Sequence, residues 1–435
     1  MDGISRGTRL ALAATLAVFG SAAFADDDFS FHGYMRAGTG GNSEDGDQVC
    51  FQTPGASAKY RLGNECEIYT EWAFDQVVLD NDDGAYMKFR TLAAWLVEGE
   101  DDFEEDDPAF REAFIEAGNV MPGFFSTARF WAGKRYYRRN DVHINDFYYW
   151  RQGGQIGGGF EDLELGWGKL AYAYMRFSND DIDDIVVRTF DGNGDFVGFR
   201  TLEGQTIQIN DRAISRHDFE LYDIEVNKNG FLTIGADIRF SEEDSDEVDG
   251  ENGYMFNVRH FQDGFWGGFH QITFQYGVGA AAPLSDFSDD RLDDDNTTFR
   301  IVDQLNFQPT ENLSGLATFV WETKDWDDEF GGDQDWLSVG VRPVYNFTEY
   351  LGIALELGYD KVDPNEGADR ELTKVTLAPL IRAGRGFFAR PELRIFVTYA
   401  DWNEAATRAG VVTTGDNPFD DNDGWTFGIQ AEAWW

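Results

Sequence analysis

The stretch GWTFGIQAEAWW, residues 424–435, alternates without a break. Trp425, Phe427, Ile429, Ala431, Ala433 and Trp435 form one set of alternate positions; Thr426, Gly428, Gln430, Glu432 and Trp434 form the other. In a β-strand the two sets point to opposite faces. One face is then wholly apolar and the other polar, apart from Trp434. The pattern recurs upstream. FLTIGADIRF (231–240) sets Leu232, Ile234, Ala236, Ile238 and Phe240 against Thr233, Gly235, Asp237 and Arg239. LGIALELGYD (351–360) sets Leu351, Ile353, Leu355, Leu357 and Tyr359 against Gly352, Ala354, Glu356, Gly358 and Asp360. ELRIFVTYADW (392–402) does the same with Leu393, Ile395, Val397 and Tyr399 against Glu392, Arg394, Phe396, Thr398 and Ala400. A soluble β-sandwich also alternates. Here, however, the polar faces carry Arg, Glu, Asp and many glycines, and the apolar faces end in aromatics. Alternating segments of roughly ten residues with aromatic ends are the signature of a transmembrane β-barrel, apolar toward lipid and polar toward a water-filled lumen. Closure pairs every backbone group and leaves no exposed edge. On this reading Trp435 faces lipid, and Trp434 is a large ring in the lumen.

The chain opens with Arg6 and Arg9, an apolar run from Leu10 to Phe19, and Ala23-Phe24-Ala25 before three aspartates. A charged start, an apolar core and an A-x-A site predict a signal peptide over residues 1–25 and export of a single domain, 26–435. Beyond that segment no apolar run reaches 18 residues, so no transmembrane helix is expected. After export, Cys50 and Cys66 are read as a disulfide closing a short loop rather than as free thiols. With 80 acidic against 35 basic residues the formal charge is −45, which excludes a phosphate-binding nucleic-acid partner. The acid sits in blocks between the alternating stretches (98–107, 241–251, 288–295, 325–335 and 416–423), as solvated loops do. An aromatic content of 16% argues against wholesale disorder.

No motif speaks for an enzyme: neither H-E-x-x-H nor G-x-S-x-G occurs, and carboxylate pairs are too common to mark glycoside hydrolysis. DGNGD (191–195) spaces Asp191, Asn193 and Asp195 like a calcium loop. Phe196 then stands where the loop needs glycine, and Leu202 where it needs glutamate. No cofactor or metal centre is expected, although calcium binding by the acidic loops stays open.

Several stretches carry a resemblance. FHGYMRAGTG (31–40), CFQTPGASAKYRLGNECEIYTEW (50–72), DPAFREA (107–113), FWAGKRYYRRNDVHINDFYYW (130–150), VGVRPVYNF (339–347) and the terminal segment closely resemble the maltoporin family, sugar-specific porins of the Gram-negative outer membrane. The match reaches both ends of the exported chain and is loosest over 178–335. The resemblance implies an all-β fold: an antiparallel transmembrane barrel of 18 strands with an inward-folded constriction loop, assembled as a homotrimer. It also implies passive diffusion of maltose and maltodextrins. Family members guide sugars along a line of aromatic rings, because the apolar C–H face of a pyranose stacks on a ring and can slide. The matching positions are Phe103, Tyr69, Tyr34, Trp434, Trp336 and Phe256. Strand parity independently places Tyr34, Tyr69, Trp336 and Trp434 on polar faces. Hydroxyl groups need fixed donors and acceptors opposite the rings, and the matching polar track is Arg36, Arg61, Glu71, Arg111, Arg139, Asp141 and Asp146, with Tyr148 narrowing the channel. Two positions depart from the family: Phe103 replaces the usual Trp, and Arg151 stands where an acid is usual. Sucrose-type relatives replace the family's Arg and Tyr at positions 139 and 148, whereas this chain keeps both, which favours maltodextrins over sucrose. The alternatives are a general or other-sugar porin of the same fold and a secreted glycan-binding β-protein. The loops of some relatives also serve as phage receptors.

Overall fold

The computed structural model describes residues 28–82, 84–98, 108–151, 153–178, 213–242, 250–286, 288–414 and 416–435, together with the backbone of 185–190 and 196–202. Residues 1–25, expected to be a signal peptide, Phe103 and the DGNGD stretch lie outside the described residues.

The chain begins with β1 (Phe29–Asn42), β2 (Glu67–Asp80), β3 (Tyr86–Glu98), β4 (Ala109–Gly118) and β5 (Arg129–Tyr136). Two short strands follow, β6 (Asn140–Val142) and β7 (Phe147–Trp150), then β8 (Gly154–Glu164) and β9 (Lys169–Ser178). A separate hairpin is made by β10 (Ile185–Phe190) and β11 (Phe196–Leu202). Next come β12 (Ala213–Asn227), β13 (Gly230–Glu242), β14 (Gly253–Phe265), β15 (Gly268–Gly279), β16 (Thr297–Phe307) and β17 (Leu313–Asp325). The last are β18 (Gln334–Asn346), β19 (Leu351–Pro364), β20 (Arg370–Arg382), β21 (Glu392–Trp402) and β22 (Asp423–Trp434).

Without the β6–β7 and β10–β11 hairpins, eighteen strands form one antiparallel sheet in chain order. The sheet closes on itself because β22 pairs with β1, from Tyr34↔Trp434 to Asn42↔Thr426. The strands are antiparallel, so their connections alternate between two rims. One rim carries tight turns such as 228–229 and 266–267, and the other carries long loops such as 43–66 and 137–153. At Trp266-Gly267 both residues adopt positive φ (49° and 77°). That is the twist-matched two-residue hairpin geometry, and it is why glycine is needed there.

The predicted parity holds. Along β22, Trp425, Phe427 and Ile429 are exposed on the outer wall, while Thr426, Gln430 and Glu432 are buried inside. On β21, Leu393, Ile395 and Val397 face out and Arg394, Phe396, Thr398 and Ala400 face in; on β13, Ile234, Ile238 and Phe240 face out against inward Asp237 and Arg239. Exposed aromatics ring the short-turn rim: Phe124, Trp167, Trp266, Phe347 and Tyr350. Amphipathic rings belong at the edge of an apolar band, where one end is wet and the other is not. Among the described residues no helix is long and apolar enough to cross a membrane.

The lumen is not an open tube. Described residues of 43–66 and 137–151 pack against inward-facing side chains of β14–β21. Tyr60 and Leu62 of the first loop join Val142, Ile144, Phe147, Tyr149 and Trp150 of the second in one buried cluster with Trp336, Val344 and Phe396 of the wall. Polar contacts bolt the loops down. The Arg61 amide donates to the Ile144 carbonyl at 3.0 Å. The Leu62 amide donates to Glu356 Oε1 at 3.0 Å, and Lys374 Nζ donates to the Leu62 carbonyl at 2.8 Å. The predicted disulfide is present: Cys50 and Cys66 are joined with Cα atoms 6.0 Å apart.

The outer wall yields a test. Ile429→Arg places a charge at mid-strand on the apolar face, and should lower the unfolding free energy in lipid vesicles by about 2–4 kcal/mol. Denaturant titration monitored by tryptophan fluorescence measures it.

Candidate functional site

Beside the packed loops a cavity remains along the inner faces of β1, β2 and β22. Tyr34, Arg36, Tyr69, Glu71 and Trp434 from these strands, Arg61 from the first loop, and Arg139, His143, Asp146 and Tyr148 from the second line one cavity of about 390 Å³. Nine of these ten residues are expected from the sequence; His143 is the addition.

Three rings form a row. Tyr69 and Tyr34 have centroids 6.1 Å apart, and Tyr34 lies 6.5 Å from Trp434 with planes inclined by only 16°. Sheet register dictates the row, because Tyr34 stands directly opposite Trp434 across the closing seam, and Arg36 directly opposite Tyr69. Beyond Trp434 the His143 ring lies at 5.7 Å, and Phe388 lies a further 5.7 Å from His143. Phe388 comes from the turn between β20 and β21, and no alternation marks it in the sequence.

Facing the row is a dense ionic cluster. The Arg61 guanidinium donates from Nη2 to the Tyr34 hydroxyl at 2.6 Å, and pairs with Glu65 Oε1 at 2.5 Å and Glu432 Oε1 at 3.0 Å. Arg36 Nη1 meets Glu65 and Asp146, each at 3.2 Å, and Arg36 also pairs with Glu67. Arg390 and Arg394 each reach Glu432 Oε2 at 2.7 Å. The Tyr69 hydroxyl donates to Glu71 Oε1 at 2.5 Å, and Tyr136 donates to the same oxygen at 3.2 Å. Arg139 is held between two rings, 3.9 Å from Tyr136 and 4.0 Å from Tyr148. Burial alone would raise the Asp146 carboxyl, but Arg61 and Arg36 outweigh it and hold the group below the usual carboxylate range. Burial pushes the Asp141 carboxyl up, against the pull of Arg139. His143 is held well below the usual imidazole range by its enclosure and by the Arg61 charge, so it stays neutral. Near neutral pH Asp146 thus stays ionised and His143 neutral. Such groups can exchange hydrogen bonds with hydroxyls without moving protons.

The remaining expected residues lie elsewhere. Arg111 is exposed at the bulge between β3 and β4, outside this cavity. Asp141 sits on β6, and Gln304 donates to its carbonyl at 3.0 Å. Two ring assignments need correction. Trp336 does face inward, but it is 0% exposed, edge-on to Phe147 at 5.2 Å, with its indole N–H donating to Asp360 at 3.1 Å. Inward is not the same as wet once two loops fill that side of the barrel. Phe256 faces the opposite way. It is 51% exposed on the outer wall and pairs with Ala236 and Tyr276, both outward. Alternation with Met255 and Asn257 carried that signal in the sequence. Glu65 and Glu432 were not singled out, although Glu432 shares Trp434's face two residues away. A second cavity of about 420 Å³ adjoins the first, sharing Glu71 and Arg139 and adding Arg90, Glu112, Glu116, Arg129 and Arg135.

In the acidic loop after β15, Asp293, Asp294 and Asp295 bring their carboxylates together. The Asp293 carboxylate already accepts from Asn296 Nδ2 at 2.7 Å and from the Asp295 amide at 3.1 Å.

A closed barrel with an apolar outer wall and a charged lumen, narrowed to a cavity of rings and ion pairs, defines a membrane channel of the porin class. The family follows directly: the chain belongs to the LamB porin family, whose model matches residues 29–435. It is therefore a protein of the Gram-negative outer membrane. Among solved structures it is similar to OmpF of Salmonella typhi in complex with daunomycin, at 11% identity over 93% of this chain and 97% of that one, with a TM-score of 0.49. It is also similar to OpdQ of Pseudomonas aeruginosa, at 10% identity over 95% and 99%, with a TM-score of 0.48. OmpT of Vibrio cholerae in its trimer form aligns at 10% identity over 94% and 99%, with a TM-score of 0.41.

The seat of Arg61 is testable. Its neighbour Tyr60 lies flat over Gly340 and Gly358, which are partners across β18 and β19; a Cβ at either would come within 2.0 Å and 2.1 Å of the Tyr60 ring. Gly340→Ala should cost about 1–3 kcal/mol of stability by overpacking. It should also change the single-channel conductance by displacing the first loop, with the barrel still folded on an unheated gel.

Proposed function

We propose that the protein is a channel for passive, facilitated diffusion of maltose and maltodextrins. The observation that carries this reading is the row Tyr69–Tyr34–Trp434 set against Arg36, Arg61, Glu71 and Asp146. A glucose unit presents an apolar C–H face and an equatorial fringe of hydroxyls, and this cavity supplies a stacking surface and an ionised fringe to match. The loop that carries Arg139 and Tyr148 acts as the constriction, and the resemblance alone assigns Phe103 to the ring line. A homotrimer is implied by the family resemblance alone. Each site must bind weakly, since a channel has to release what it captures.

A shorter row favours a second reading. With Trp336 covered and Phe256 on the outer wall, fewer rings line the path than the resemblance implies, and Arg390 lies 4.4 Å over the Trp434 ring. A porin for another sugar fits that arrangement, with a stacking surface long enough for one or two rings at a time.

Bilayer recordings separate the two readings. Maltohexaose should close the channel saturably, and sucrose should do so poorly. Trp434→Ala should weaken maltohexaose block by about two- to tenfold, the size of one aromatic contact. Phe256→Ala should leave block unchanged. Indifference of the wild-type channel to maltohexaose would exclude the maltodextrin reading.

A further inference from the structure

Both ends of the loop between β5 and β8 meet at one carboxylate. Glu220, buried on the inner face of β12, accepts at Oε1 from Arg138 Nε at 3.0 Å and from Arg138 Nη2 at 2.6 Å. Its other oxygen, Oε2, pairs with Arg151 Nη2 at 2.5 Å. Arg138 and Arg151 stand at the base of the loop: β5 ends at Tyr136 and β8 begins at Gly154. Both arginines adopt left-handed backbone, φ 45° and 60°, which a residue with a side chain takes up only when its surroundings impose it. Side chains support the same two points. Arg138 stacks on Tyr222 at 3.8 Å, and Arg151 stacks on Trp150 at 4.5 Å. Each arginine also has a carboxylate of its own: Glu161 lies 3.5 Å from Arg138, and Asp218 takes the Arg151 fork at 2.8 and 3.1 Å. Glu220 alone among these carboxylates bridges the two ends.

We propose that Glu220 is the positioning residue that clamps the loop shut at its base, and so sets where Arg139, His143, Asp146 and Tyr148 stand in the channel. This rests on the reading that the loop lines the sugar path. Without the Glu220 charge the two arginines remain tethered, one to Glu161 and the other to Asp218. What they lose is the shared counter-ion that holds them together against their mutual repulsion. The barrel ladder does not pass through the clamp, since β5 pairs directly with β8. Loosening the clamp therefore releases the loop and leaves the wall intact. The unusual Arg151 acquires a role here: an acid at that position would repel Glu220 and leave the loop base unclamped.

The test uses the full-length purified protein in planar bilayers. Without sugar, Glu220→Gln should raise open-channel current noise. With maltohexaose it should raise the off-rate about tenfold, the scale on which positioning residues act, while the on-rate changes little. Asp218→Asn, which loosens only one end, should produce a clearly smaller change. Folding is checked by mobility of the unheated protein on a gel. Wild-type noise and off-rate in folded Glu220→Gln would overturn the proposal, as would Asp218→Asn matching it. If Glu220→Gln fails to fold, Arg151→Met carries the test: increased noise supports the clamp and wild-type noise overturns it. A wild-type channel indifferent to maltohexaose would sink the maltodextrin reading, and the sugar-free noise would still decide the clamp.

Discussion

The pairing of β22 with β1 is the constraint from which the rest follows. A sheet in an apolar medium cannot leave an edge unpaired, because its amides and carbonyls find no water there. Joining the two ends of the chain removes that edge, and the register of the joint sets Trp434 across from Tyr34 and Glu432 across from Arg36. Glu432 then collects Arg61, Arg390 and Arg394. Closure thus builds the ring row and nucleates the ionic cluster with the same hydrogen bonds.

Within the closed wall, the loops fill part of the lumen and leave a cavity beside them. Their apolar residues pack as a core against one side of the lumen, while Arg61, Arg139 and Asp146 line the cavity on the other. The boundary between dry and wet runs through single loops. Tyr60 is buried over two glycines while its neighbour Arg61 donates to Tyr34 in the channel. Buried ion pairs contribute little net stability, because desolvation offsets the Coulomb attraction. Their value here is geometric: breaking one leaves an unpaired charge, so the loops have few alternative positions.

Arginines cover several of the lumenal rings. Arg36 lies 5.3 Å over Tyr69, Arg390 lies over Trp434, and Arg139 is sandwiched by Tyr136 and Tyr148. Guanidinium planes stack on aromatic faces and keep their N–H edges free for oxygen acceptors. A ring and its arginine together present a stacking face and N–H donors in one place. Among the described residues, the acidic blocks at 288–295, 325–335 and 416–423 fall mainly in connections on the long-loop rim.

Alternation in segments such as 424–435 and 392–402, with aromatic ends and charged polar faces, pointed to a barrel and separated its inside from its outside, since period-two patterning allows only one assignment of faces once one face must meet lipid. The strand count came only from the family resemblance. Alternation also placed Tyr34, Tyr69 and Trp434 in the lumen, and it contained the evidence, misread at Phe256, that this ring points outward. Cys50 and Cys66 were legible as a pair because they are the two cysteines of a chain read as exported, and lie close in sequence. Tertiary structure alone decided which inward residues touch water. Trp336 has the parity of a channel ring, yet two loops distant in sequence cover it, and no local pattern records which wall a loop will pack against. The convergence of Glu65, Glu432 and Arg390 on Arg36, Arg61 and Trp434, and the meeting of Arg138 and Arg151 at Glu220, likewise depend on barrel register and loop path. Those are set by long-range packing rather than by any neighbouring residue.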